Sequence, residues 1–110
     1  MSKFEVIPLR AFADNYIWTI RDAKCAAVVD PGDEVVMFEP YYDSYAASVA
    51  MAGGGRRVVP LHAPHWGFDE AVLRSSVGPR TRMILLNSPH NPTGKVFDSR
   101  ELALISDIAM

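Results

Sequence analysis

Hydrophobic and polar positions follow two regimes along this chain. Up to about residue 31 they alternate, as in strands with one covered face. Residues 4–9 are short and apolar, with Pro8 suited to an edge strand. Residues 15–20 alternate and are rich in β-branched and aromatic side chains. Residues 21–24 are polar enough for a tight turn, and 25–29 return as a strand of small residues. The pattern predicts an antiparallel hairpin or three-stranded meander, punctuated by Asp30-Pro31-Gly32-Asp33.

Beyond that break, continuous apolar runs alternate with helical spacings. Residues 34–38, 57–61 and 82–86 read as buried strands of a parallel sheet. Between the first two, Asp43 is placed to cap a helix carrying Tyr45, Val49 and Ala52 on one face, stopped by Gly53-Gly54-Gly55. Between the second and third, Asp69 opens a short helix with Val72, Leu73 and Ser76, stopped by Gly78-Pro79. A last helix begins at Asp98-Ser99-Arg100-Glu101, which has capping-box spacing, and carries Leu102, Ile105, Ile108 and Ala109. The fold class expected is α/β: an amino-terminal antiparallel unit, then a βαβαβα parallel three-stranded sheet with right-handed crossovers.

Composition adds bounds. At 110 residues, 49% hydrophobic and 22% charged, the chain is one ordinary globular domain or a piece of one. A formal net charge of −2 gives no reason to expect nucleic acid or an anionic membrane. The single cysteine, Cys25, excludes an internal disulfide and opens an apolar strand, as a buried inert thiol would. With no apolar run long enough to span a bilayer and no signal-peptide core, the expected location is the cytoplasm.

The most informative stretch chemically is Asn87-Ser88-Pro89-His90-Asn91-Pro92-Thr93-Gly94-Lys95. It follows an apolar strand and presents two amides, each a donor and an acceptor, at a sheet edge where ligands tend to sit in α/β folds. Its two prolines give the Ser88-Pro89 and Asn91-Pro92 bonds access to cis. On spacing alone it reads equally as a ligand loop and as an ordinary proline-rich connection. Tyr42, in Glu39-Pro40-Tyr41-Tyr42-Asp43, lies on the same edge and could stack on a flat ligand or seal the top of the sheet. His62 and His65 read as surface loop residues, and no metal-ligand spacing surrounds them. His90 reads as packing behind the loop, and Arg56 and Arg57 as a solvated pair flanking the glycine turn.

On these residues two resemblances stand. Residues 32–110 resemble the class I, fold-type I aminotransferases that use pyridoxal phosphate, most nearly the kynurenine, glutamine and methionine aminotransferases. Gly32-Asp33-Glu34-Val35-Val36, Glu39 to Tyr45, Met51-Ala52-Gly53-Gly54 and Asn87 to Phe97 carry the likeness. The resemblance implies a partial large domain in which Asn91 bonds the phenolic oxygen of the cofactor, Asn87 lies beside it and Tyr42 stacks on the ring. It also implies that the covalent lysine and the aspartate pairing the pyridinium nitrogen fall after this stretch, and the phosphate-holding segment before it. No catalytic residue is then expected here, and any pyridoxal phosphate binding would be weak and non-covalent.

Residues 1 to about 33 are similar instead to the amino terminus of glyoxalase II, a hydroxyacylglutathione hydrolase of the metallo-β-lactamase fold. Ile7-Pro8, Phe12-Ala13-Asp14-Asn15-Tyr16-Ile17-Trp18 and Ala27-Val28-Val29-Asp30-Pro31-Gly32-Asp33 carry that likeness, without the family's metal box. Together these imply a chimera. The alternatives are a recombined or designed structural protein without a specific ligand, and a thioester hydrolase fragment without its metal ligands. A sheet this small also predicts self-association through exposed strand edges, unless the amino-terminal strands cover one.

Overall fold

The computed structural model describes residues 5–11, 15–21 and 26–110, with side chains from residue 29 onward. The expectation for Cys25 lies outside the described residues. Strands β1 (Glu5–Ala11), β2 (Asn15–Arg21) and β3 (Ala26–Val28) form the expected antiparallel meander, in the order β1-β2-β3. Glu5 pairs with Arg21 and Ala11 with Asn15, while Arg21 also pairs with Ala26. This sheet is separate from the one that follows.

The second sheet has β4 (Glu34–Glu39) at its centre, flanked by β5 (Gly55–Pro60) and β6 (Thr81–Leu85), all parallel, in the order β5-β4-β6. A central strand must be apolar on both faces, and the first five residues of β4 are buried. Its alternate side chains feed two cores. Val36 and Phe38 pack with Val59, Leu61, Leu73, Phe97 and Ile105 on one face. Val35 and Met37 pack with Val29, Val49 and Ala52 on the other.

Helix α1 (Asp43–Met51) supplies Val49 to the second core, and α2 (Glu70–Ser76) and α3 (Ser99–Ala109) supply Leu73 and Ile105 to the first. The result is a three-layer α/β/α arrangement, as right-handed crossovers to opposite sides of β4 require. No helix among the described residues is long and apolar enough to cross a membrane.

Local signals explain most boundaries. Helix α1 ends in a Schellman arrangement: Gly53 takes φ 76°, its N–H donates to the Ala50 carbonyl, and the Gly54 N–H donates to the Val49 carbonyl. Gly54 must also be small, because a Cβ there would stand 3.1 Å from Val29 Cγ1. Asp69 caps α2 by accepting from the Ala71 N–H at 2.8 Å. At α3 the capping box is complete: Asp98 accepts from the Glu101 N–H at 2.8 Å, and Glu101 accepts from the Asp98 N–H at 3.0 Å.

Two expectations are corrected here. The N-cap of α1 is Tyr42, with no side-chain cap, and Asp43 is the first helical residue, where its charge meets the positive end of the helix. Arg57 is not simply solvated. It donates to both carboxylate oxygens of Glu34, at 3.1 and 3.2 Å, and Arg80 joins them from the start of β6 at 2.6 Å. Glu34 is buried, and the Arg57 guanidinium, opposed by burial but helped by Arg80, holds its carboxyl below the usual range. This pairing lets β4 begin with a charged residue at the amino edge of the sheet. Arg82, at a register shift between β4 and β6, reaches Asp33 at 3.3 Å on the same edge.

Candidate functional site

The carboxyl ends of three parallel strands open on one edge, and the chain leaves them in different directions. After β4 it passes to α1 on one face, and after β6 it passes to α3 on the other. Since β4 and β6 are neighbours, the loops that follow them leave adjacent strand ends for opposite faces of the sheet. This is the topological switch point at which open α/β sheets receive ligands.

Tyr42 follows the carboxyl end of β4. Its ring is half exposed, at 49%, and is steadied by an edge-on contact with Tyr45 at 5.8 Å. Asn87 and Asn91 come from the loop on the β6 side. Asn87 is half-buried and donates to the Pro89 carbonyl at 3.3 Å, while Asn91 is exposed. All three residues singled out in the sequence thus follow the carboxyl ends of the neighbouring strands β4 and β6. Both Ser88-Pro89 and Asn91-Pro92 are cis, as are Glu39-Pro40 and Ala63-Pro64. The third loop of this edge, after β5, closes by a bridge between His62 and Gly67. It leaves His62 and His65 exposed, while Trp66 takes φ 56°. Among the described residues no group of side chains could hold a metal ion.

What fixes the asparagine loop lies beneath it. The His90 N–H donates to the Lys95 carbonyl at 2.7 Å, and the Gly94 N–H returns to the His90 carbonyl. Gly94 carries φ 74°, which a side chain would strain. The His90 ring is buried, with Nδ1 at 2.7 Å from Thr93 Oγ1 and an edge-on contact to Phe97. Burial pushes its imidazole below the ordinary value. A hydrogen bond to the Phe38 backbone opposes this, and the nearby Lys95 ammonium reinforces it. Ser88 Oγ accepts from the Phe97 N–H at 3.1 Å.

Lys95 is the unforeseen member. Only 7% of its side chain is exposed; its ammonium pairs with Glu101 at 2.8 Å and lies 5.0 Å from the centre of the Phe97 ring. Glu101 therefore serves the helix cap and the loop together. Its capping role was visible in the sequence spacing, but its partnership with Lys95 depends on how the loop folds back.

The chemistry this arrangement offers is recognition. An exposed aromatic face and two amides suit a flat ligand with oxygen and nitrogen at its rim. Lys95, the lysine with a described side chain, has its amine covered and paired, so it offers this edge no nucleophile.

The model of the family "Aminotransferase class I and II" matches residues 19–110, beginning within β2. The chain belongs to this family. It is 51% identical over 90 residues to the probable N-succinyldiaminopimelate aminotransferase DapC of Mycobacterium tuberculosis, across 80% of this chain and 23% of that protein. It is 40% identical to kynurenine–oxoglutarate transaminase 3 of Mus musculus, across 76% of this chain and 20% of the relative.

Among solved structures, N-succinyldiaminopimelate aminotransferase from Mycobacterium tuberculosis superposes with a TM-score of 0.68 at 54% identity, covering 74% of this chain and 22% of that one. YbdL from Escherichia coli, with a methionine aminotransferase function, gives 0.70 at 38% identity, covering 73% and 21%. The chain spans between a fifth and a quarter of the length of these curated relatives.

Proposed function

We propose that this chain is a portion of the large, pyridoxal phosphate-binding domain of an aminotransferase, and that it contributes the grip on one edge of the cofactor ring. The reaction of the whole enzyme would be transfer of an amino group from an amino acid to a 2-oxo acid. What supports this reading is membership of the family, with Tyr42 following β4 and the asparagine loop following the neighbouring strand β6.

The residues fit part of the group. Tyr42 would lie against the ring, Asn91 would donate to its phenolic oxygen and Asn87 would stand beside it. Pyridoxal phosphate, when bound, supplies the electron-withdrawing ring on which such enzymes rely. This stretch does not supply the covalent anchor: Lys95 is committed to Glu101. The other lysines of the sequence, Lys3 and Lys24, lie outside the described residues. By itself the chain is therefore a non-covalent binder without transaminase activity.

Residues 1–31 we take to be a glyoxalase II-like addition of separate origin. In support, β1–β3 hydrogen-bond into a sheet of their own; against it, the family match reaches back to residue 19 and so takes in β3.

Absorbance titration with pyridoxal phosphate tests the binding. The expected result is a weak, saturable change that borohydride does not fix to the protein and that Asn91→Ala weakens severalfold. A change that borohydride locks onto one lysine would overturn the non-covalent reading, and no saturable change at all would overturn binding.

A further inference from the structure

His90 turns inward where the next residue, Asn91, is exposed; only 4% of His90 remains accessible. Its backbone is tied on both sides. The N–H donates to the Lys95 carbonyl at 2.7 Å, and the carbonyl accepts from the Gly94 N–H at 2.6 Å. Ring Nδ1 stands 2.7 Å from Thr93 Oγ1. Residues 91–94 are thus closed into a small loop upon one buried residue.

The hydrogen bonds run in one direction. Thr93 Oγ1 accepts from the Lys95 N–H at 3.2 Å, so its own proton is free to go to Nδ1. This order assigns the tautomer: Nδ1 accepts, and Nε2 carries the proton that the ring gives to the Phe38 backbone of β4. A second proton, on Nδ1, would make it a donor and turn the Thr93 hydroxyl away. The ring itself lies edge-on to Phe97, in the core rather than at the open end of the sheet. An exposed amide takes its aim from its backbone, and for Asn91 that backbone is set by His90.

We propose that His90 is the positioning residue of the cofactor grip: it does not touch the ligand, but holds the turn from Asn91 to Gly94 and so aims the Asn91 amide at the phenolic oxygen. This rests on the role given to Asn91 above. The groups that face the ring are Phe97, the Phe38 backbone, Thr93 and Lys95, and the Lys95 charge is answered by Glu101 of α3. Glu101 also titrates in acid, and His90→Gln leaves it in place, which separates the two.

Nuclear magnetic resonance on the unliganded chain tests the positioning. As pH falls, the Asn91 side-chain amide and the Gly94 N–H should shift with the same midpoint as the His90 ring, while Val58 and Val59 stay still. In His90→Gln that transition should vanish. A transition that persists there, or an Asn91 amide indifferent to the ring, would overturn the proposal. Thr93→Val removes the hydroxyl with little change of shape and should move the Asn91 amide at neutral pH, so it decides the matter even if His90→Gln fails to fold.

Pyridoxal phosphate titration tests the link to the cofactor. His90→Gln and Thr93→Val should each weaken binding roughly threefold or more. On an Asn91→Ala background neither should weaken it further, because both act through that amide. Val35→Ala, a destabilising change in the other core, should leave binding unaltered. Equal weakening by Val35→Ala, or undiminished losses on the Asn91→Ala background, would mean general destabilisation and overturn the proposal. An Asn91 amide that follows His90, in a chain with no saturable response to pyridoxal phosphate, would uphold the positioning of Asn91 and overturn the cofactor reading instead.

Discussion

His90 links the two sides of the candidate site. It belongs to the asparagine loop by sequence, yet its ring is buried, held by Thr93 and set edge-on to Phe97. Burial keeps the imidazole neutral to a lower pH than usual. Between that lowered value and the ordinary value near ~6.5, the unfolded chain binds more protons than the folded one. Stability from this residue is thus complete above the ordinary value and falls as pH drops through the lowered one. In urea unfolding, the midpoint should climb as pH is raised from that lowered value to the ordinary one. In His90→Gln that climb should flatten, and stability near neutral pH should fall by roughly 1–3 kcal/mol as the Thr93 hydroxyl loses a well-placed partner. A climb of equal slope in the variant would show that His90 is not its source.

At the scale of elements, α3 does two jobs at its first turn. Asp98 and Glu101 cap each other, and the remaining oxygen of Glu101 holds the Lys95 ammonium. The asparagine loop is thereby clamped to the helix that follows it. Asp98→Ala should cost about 1 kcal/mol in chemical denaturation, the usual worth of an N-cap. Glu101→Gln should cost more, because it weakens the cap and leaves a covered lysine without its counter-charge. The double variant should cost less than the sum, since both changes break the same reciprocal bond. Strict additivity would mean that the box and the clamp act separately.

The boundaries of α3 and α2 could be read from sequence because a cap is local: Asp98 with Glu101, and Asp69 with the N–H groups just beyond it. The start of α1 could not be. There the chain turns at Tyr42 without a side-chain cap, and Asp43 looked like the capping residue only because aspartate so often is.

For the whole molecule, β4 is the shared wall of both cores, so damage to it is not confined to one face. Phe38 is fully buried and packs against Phe68 and Phe97 at 5.2 and 5.3 Å. Phe38→Ala should cost about 3–5 kcal/mol. Against the ~5–15 kcal/mol by which most domains are stable, that is a large share. Circular dichroism should show a far lower melting temperature; an unchanged one would mean that the aromatic cluster is dispensable.

Membership of the aminotransferase family also operates at this scale. It rests on the parallel sheet and its loops together, and the chain holds about a quarter or less of the length of its curated relatives. The pyridoxal phosphate titrations accordingly ask what this portion does by itself.

The sequence by itself determined what depends on near neighbours. Alternation set the antiparallel meander, continuous apolar runs set the three parallel strands, and the asparagine loop marked a candidate ligand edge. These features follow from side-chain period and turn chemistry, which act over a few residues. The tertiary structure decided what depends on residues far apart in the chain. It brought Arg57 and Arg80 onto Glu34, seated Lys95 on Glu101, and sent the chains leaving the neighbouring strands β4 and β6 to opposite faces. No local pattern encodes those meetings, because each arises only when the sheet closes and its burial selects which distant partners face one another.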